Sequence, residues 1–349
     1  MNRKGAFEMM IAVSKKNAIC AGLALLLYSS GFLVILTPLP LLYACVTDKS
    51  GGGVSASIMA ALAVMSFYIF AVSSLGSVVV SYIPLPVVGL KGHLSSWSLV
   101  VSGSGYFCFF AIIGFVLGEG RRIGHPDVRS GARALAYSLA VLFLVAIVAW
   151  SASSGNVVFK AEGYIGGVIG DIVAVNRAAG VDSAYLDVLE SNKDAIAAFA
   201  VRIMPSMVFV YALFTVVINL VMGRRFAGKR RFAKASGSMT KFRMPDYMVW
   251  VVIACGAFFF ADSYLIRSAW VKMFVANGLI TVLALYFFQG LAVIAHVLQG
   301  VRFPLLRLAA YVLIILFFQS ISVVIVALGL ADVWINFRTR KLKFGHQNP

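Results

Sequence analysis

The residues best placed to do chemistry are a few polar side chains set inside long apolar runs: Asn219, Asn277, Gln289, His296 and Gln319. A polar group in hydrocarbon is costly, so it faces the interior of a helix bundle or a hydrated path. Gln289 and His296 stand seven residues apart, on one helical face, with Ala292 between them. Such a stripe suits the capture of a small polar solute, with Asn277, Gln289, His296 and Gln319 as its ligands. The same residue types also act as glue, where an amide joins two membrane helices through a hydrogen bond of about 1 kcal/mol. Both roles stand open at this point. Asp262, Arg267 and Lys272 form a charged group near helix ends, suited to gating, to a charged solute or to ordinary interfacial use. Asp332 lies beside Trp334, an expected interface anchor, and is placed to pair with Arg338 or to cap the tail.

Reaction chemistry does not show in the pattern. There is no H-E-x-x-H, no G-x-S-x-G and no pair of intramembrane carboxylates, so the chain is read as a non-enzyme. Cys20, Cys45, Cys108 and Cys255 lie far apart without a C-x-x-C pair, and His93, His125, His296 and His346 have no ligand spacing. No disulfide framework, metal site or cofactor is expected. Ser102-Gly103-Ser104-Gly105 lacks the Lys-Ser/Thr ending of a phosphate loop, and Gly114 and Gly118 form a G-x-x-x-G step that reads as helix packing.

The elements that must position these residues follow from composition. The chain is 61% hydrophobic and 12% charged, far from the balance of a soluble domain. That much apolar surface has to face lipid. The expectation is an all-α, polytopic transmembrane bundle forming one integral membrane domain over 1–349. A span needs about 20 apolar residues. Candidates run at 17–44, 55–75, 78–90, 96–117, 134–150, 197–222, 248–261, 274–299 and 304–330, giving eight or nine membrane helices. The stretches 78–90 and 248–261 are the short ones. The first run is read as a retained helix rather than a cleaved signal, with Pro38 and Pro40 breaking its outer end.

The loops set an expected orientation. Basic residues crowd the N-terminal tail (Arg3, Lys4, Lys15, Lys16) and the loop 119–133 (Arg121, Arg122, Arg129, Arg133). The loop 223–245 carries Arg224, Arg225, Lys229, Arg230, Arg231, Lys234, Lys241 and Arg243. In 151–196 only Lys160, Arg177 and Lys193 are basic. The positive-inside rule places the first three in the cytoplasm and 151–196 outside. That requires an even number of crossings before residue 119, which favours 78–90 as a crossing. The tail, with Arg338, Arg340, Lys341 and Lys343, is expected inside if one short segment is re-entrant. Within the outer loop, Ile165, Val168, Ile172 and Val175 have helical spacing, and Asp182 opens a capped second helix. The net charge of +17 is accounted for by these loops. Nucleic acid is not an expected partner, since the cluster Arg224, Arg225, Lys229, Arg230, Arg231 and Lys234 has few aromatics for base stacking.

Three groups of marks recur in the C-terminal half: Phe242-Arg243-Met244-Pro245-Asp246 with Trp250, then Asn277 and Gln289-Gly290, then Gly329-Leu330-Ala331-Asp332-Val333-Trp334. With Pro38-Leu39-Pro40 and Ile203-Met204-Pro205, their order resembles the YybS-like family of uncharacterised bacterial membrane proteins. In that family's terms Pro205 opens a middle helix, residues 242–246 form a short re-entrant motif, and Arg338 is the basic residue after the closing motif. The family is distantly similar to the S components of energy-coupling-factor transporters. What the resemblance implies is solute capture in the bacterial cytoplasmic membrane, docking on an ATPase-driven module, and small residues such as Ala18, Ala21 and Ala24 on the docking face. The alternative function is a non-transporting scaffold that holds partner proteins or anionic lipid through its basic loop.

Overall fold

The computed structural model describes residues 3–47, 52–80, 96–152, 157–226, 242–262, 264, 268–301 and 303–338. The described residues are helical, with no strand among them. Six helices are long and apolar enough to cross a membrane, with windows Gly53–Phe70, Val100–Ile123, Asp127–Val148, Lys193–Arg224, Trp270–Gln299 and Phe318–Ile335. Shorter apolar segments lie at Val34–Thr47, Met248–Ala261 and Pro304–Leu316. The expected all-α polytopic membrane fold is the one observed. Of the expected short helix at 78–90, residues 81–90 lie outside the described residues. The chain divides into two compact units: Met1–Met204 with Tyr211–Ser236, and Pro205–Val210 with Gly237–Pro349.

The first unit departs from expectation at its beginning. Helix α1 (Arg3–Ser29) stops, Gly31 takes a left-handed φ of 70°, and a 3-10 turn (Val34–Leu36) leads into α2 (Pro38–Thr47). Pro38 therefore begins a helix instead of ending one. Proline serves at a first helical position because its missing N–H has no partner to lose there. At the far end of α2, Lys16 Nζ donates to Thr47 Oγ1 and sits 5.3 Å from the centroid of the Tyr43 ring. Asn17 Nδ2 donates to Ser55 Oγ at 3.0 Å, at the start of α3 (Gly52–Val80). Both ends of the segment 17–47 thus meet at one level. It is a helical hairpin rather than one continuous helix. Among the described residues, the candidate spans that begin before residue 119 are α3 and α4 (Ser96–Ile123).

The unit continues through α5 (Asp127–Ala152), α6 (Val157–Ala178), α7 (Ser183–Ser191) and α8 (Lys193–Phe226). The two helices expected between α5 and α8 form, and Asp182 caps α7 by accepting the Ala184 N–H at 3.0 Å. Its register differs from the expected stripe. Ile165, Ile169 and Val173 pack on Leu186 and Leu189, while Val168, Ile172 and Val175 are exposed. Both faces of α6 are apolar, so periodicity alone does not choose the packed one. Pro205 lies inside α8, which corrects its assignment as a helix opener.

The second unit contains α9 (Met248–Ala261), α10 (Ala269–Gln299), α11 (Pro304–Leu316) and α12 (Phe318–Ile335). The expected ninth span is broken at Phe317. A small core forms from Met244, Val249, Val282 and Tyr286, with Phe242, Leu330 and Val333 against it.

Candidate functional site

The three groups of C-terminal marks come together in the second unit. Gln289 is fully buried at the middle of this junction. Its Oε1 accepts the Met244 N–H at 2.9 Å, and its Nε2 donates to Asp332 Oδ2 at 3.2 Å. Asp332 is also fully buried. Its Oδ2 takes a second donor from Arg338 Nη2 at 3.1 Å, and its Oδ1 takes the Phe337 N–H at 3.1 Å. Arg243 donates to the Val333 carbonyl at 3.3 Å and pairs with Asp246 at 3.0 Å. A buried carboxylate persists when it is paired and hydrogen-bonded, and Asp332 has both. The two carbons that allow this are glycines. A Cβ on Gly290 would overlap the Ile325 carbonyl, and one on Gly329 would overlap the Tyr286 carbonyl. Glycine lets α10 and α12 approach backbone to backbone, which carries Asp332 to Gln289.

The other proposed solute ligands are placed elsewhere. Asn277 Oδ1 accepts the Ser206 N–H at 2.9 Å, and its Nδ2 donates to the Met273 carbonyl at 2.8 Å. It therefore stitches α10 to α8 next to Pro205, where the helical ladder lacks an N–H. Along α10, Asn277 and Gln289 are twelve residues and roughly 18 Å apart. His296 and Gln319 are exposed. The four do not converge on one space. Asp262 is buried at the end of α9, accepts the Ser268 N–H at 2.9 Å and lies 4.0 Å from Lys272 Nζ. Arg267 lies outside the described residues.

The first unit holds Asn219, which the sequence marked, and polar residues that sequence reasoning passed over. Asn219, fully buried in α8, donates through Nδ2 to the Ile35 carbonyl at 2.8 Å, on the tip of the hairpin. Deeper in, the Tyr28 hydroxyl donates to the Gly103 carbonyl at 2.9 Å and stands 3.1 Å from the Tyr68 hydroxyl. Tyr106 and Tyr211 hydroxyls meet at 3.1 Å. Gly114 and Gly118 make room for α2: a Cβ on Gly114 would lie 2.5 Å from the Pro38 carbonyl oxygen, and one on Gly118 3.0 Å from that of Leu42. Ala21 and Ala24 are buried within the unit, and Ala18 is exposed. At the rim, Asp127 is buried and holds two guanidiniums, Arg121 on Oδ1 and Arg224 on Oδ2. Its place at the first turn of α5, after Pro126, is the signal that marks it as a helix-opening acid. Of the basic cluster, Arg224 alone has a described side chain; that of Arg225, and all of Lys229, Arg230, Arg231 and Lys234, lie outside the described residues.

Among the described residues, no three His, Cys, Asp or Glu side chains gather as a metal site. No curated protein and no solved structure matches the chain. One family, described as "Predicted membrane protein (DUF2232)", matches residues 96–333, which run from the start of α4 into α12 and take in Gln289 and Asp332. This multi-pass membrane protein belongs to the DUF2232 family.

Proposed function

We propose that the protein is a non-enzymatic solute-binding or transport subunit of the bacterial cytoplasmic membrane. Its N-terminus and basic segments lie in the cytoplasm, and it works with an ATPase-driven module as energy-coupling-factor S components do. The observation that carries this reading is the hairpin 17–47 seated among α3, α4 and α8. Non-helical backbone at membrane depth is tolerated where it is buried in protein or lines a polar cavity. Interrupted helices of this kind build the solute sites of many transporters, and a passive scaffold has no need of one. The resemblance to the YybS-like family points the same way. The Gln289 junction then serves as the lock of the second unit, and the hairpin tip near Ile35 and Asn219 is where the solute path runs.

The test is native mass spectrometry of the full-length protein, purified in detergent, with small-molecule extraction. A stoichiometric metabolite is expected, reduced in Asn219→Leu and retained in Gln319→Leu. A protein partner recovered without any metabolite, and no metabolite in any preparation, would replace this reading with the scaffold.

A further inference from the structure

We propose that the outward face of α5 binds the phosphate of an anionic phospholipid. Arg129 and Arg133 are one helical turn apart and exposed. Among the described residues, neither has a carboxylate partner. The acids of the same rim are already committed: Asp127 to Arg121 and Arg224, and Glu119 to Arg122. Arg129 and Arg133 therefore draw no counter-charge from the described acids. Side chains one turn apart have Cβ atoms about 5–6 Å from each other, close enough for two guanidiniums to grip one phosphodiester. The planar, fork-like guanidinium suits phosphate oxygens in pairs.

The surface beneath fits the rest of a lipid. Ala136 and Ala140 continue the same exposed face. Phe143, Leu144 and Ile147 follow, all exposed and apolar. Tyr137 is exposed beside them, the position of an aromatic at a membrane boundary. The two arginines crown the stretch Asp127–Val148, which is long and apolar enough to span. A phosphate held there with an apolar tail below it is a lipid headgroup, and basic sites at helix ends attract such headgroups. The site lies on α5 and is independent of whether the protein handles a solute.

Native mass spectrometry of the full-length protein with added phosphatidylglycerol or phosphatidylcholine tests it. Phosphatidylglycerol is expected to be retained preferentially. The double variant Arg129→Gln/Arg133→Gln is expected to weaken it about 30-fold, roughly fivefold per arginine, with unchanged helical circular dichroism. Arg129→Lys/Arg133→Lys keeps part of the preference, because the charge remains. Equal retention of the two lipids overturns the proposal, as does undiminished phosphatidylglycerol binding in the Gln double variant. Displacement by millimolar inorganic phosphate would mark a free-phosphate site and overturn the lipid assignment.

Discussion

Replacing Gln289 by leucine separates a solute ligand from a structural lock. Leucine fills a similar volume, so the change leaves little cavity. It strips the Met244 N–H of its acceptor and Asp332 of one of three donors. A buried N–H left unsatisfied costs about 1–3 kcal/mol, and a bond to a charged group contributes about 1.5–3 kcal/mol. Single side-chain bonds in membrane proteins average nearer 0.6 kcal/mol, because the unfolded chain in the membrane also finds partners. With both effects at one buried site, the expected loss is about 2–4 kcal/mol. Reversible unfolding in mixed detergent–SDS micelles reads it, with Gln319→Leu as an exposed control expected within about 0.5 kcal/mol of the parent. A Gln289→Leu protein as stable as the control would refute the lock. If it also lost a bound metabolite, Gln289 would be a ligand instead.

Further expectations follow from the same geometry. Gly290→Ala and Gly329→Ala each place a Cβ against a carbonyl of the facing helix, so each should lower stability by about 1–3 kcal/mol in the same unfolding experiment. Asp127→Asn leaves two guanidiniums, one of them buried, without their carboxylate; removing one member of a buried ion pair costs about 3–5 kcal/mol, and adding Arg224→Gln should restore part of the melting temperature. In a background without native cysteines, Lys15→Cys and Thr47→Cys should react with a membrane-impermeant thiol reagent from the same side. Reaction from opposite sides would turn the hairpin into a crossing.

The marks that bind the second unit were legible as a pattern long before their contacts were known. Phe242 to Asp246, Gln289-Gly290 and Gly329 to Trp334 stand out against apolar runs, and α9 forms over the residues its apolar run predicts. Their meeting was not legible, because pairing between segments forty or more residues apart leaves no local period. The hairpin was missed for a different reason. Pro38 is equally compatible with the end of one helix and the start of another, and composition does not choose. Phe317 breaks the last span with no glycine or proline to announce it. Arg121 and Arg224 read as loop charges and Asp127 goes unmarked, which conceals that Asp127 and Arg121 are buried. Hydropathy reports where a residue sits in sequence, not whether a neighbouring helix end covers it.

The bond between Asn219 and the Ile35 carbonyl also constrains the order in which the protein can be built. The returning arm of the hairpin, Val34–Thr47, is shorter than a span when it leaves the ribosome. The group that anchors the hairpin tip is made more than 180 residues later. The bond that fixes the hairpin tip can therefore form only after α8 has been synthesised. Completion of the N-terminal segment is a late event, and chains halted before α8 lack the anchor of their own beginning.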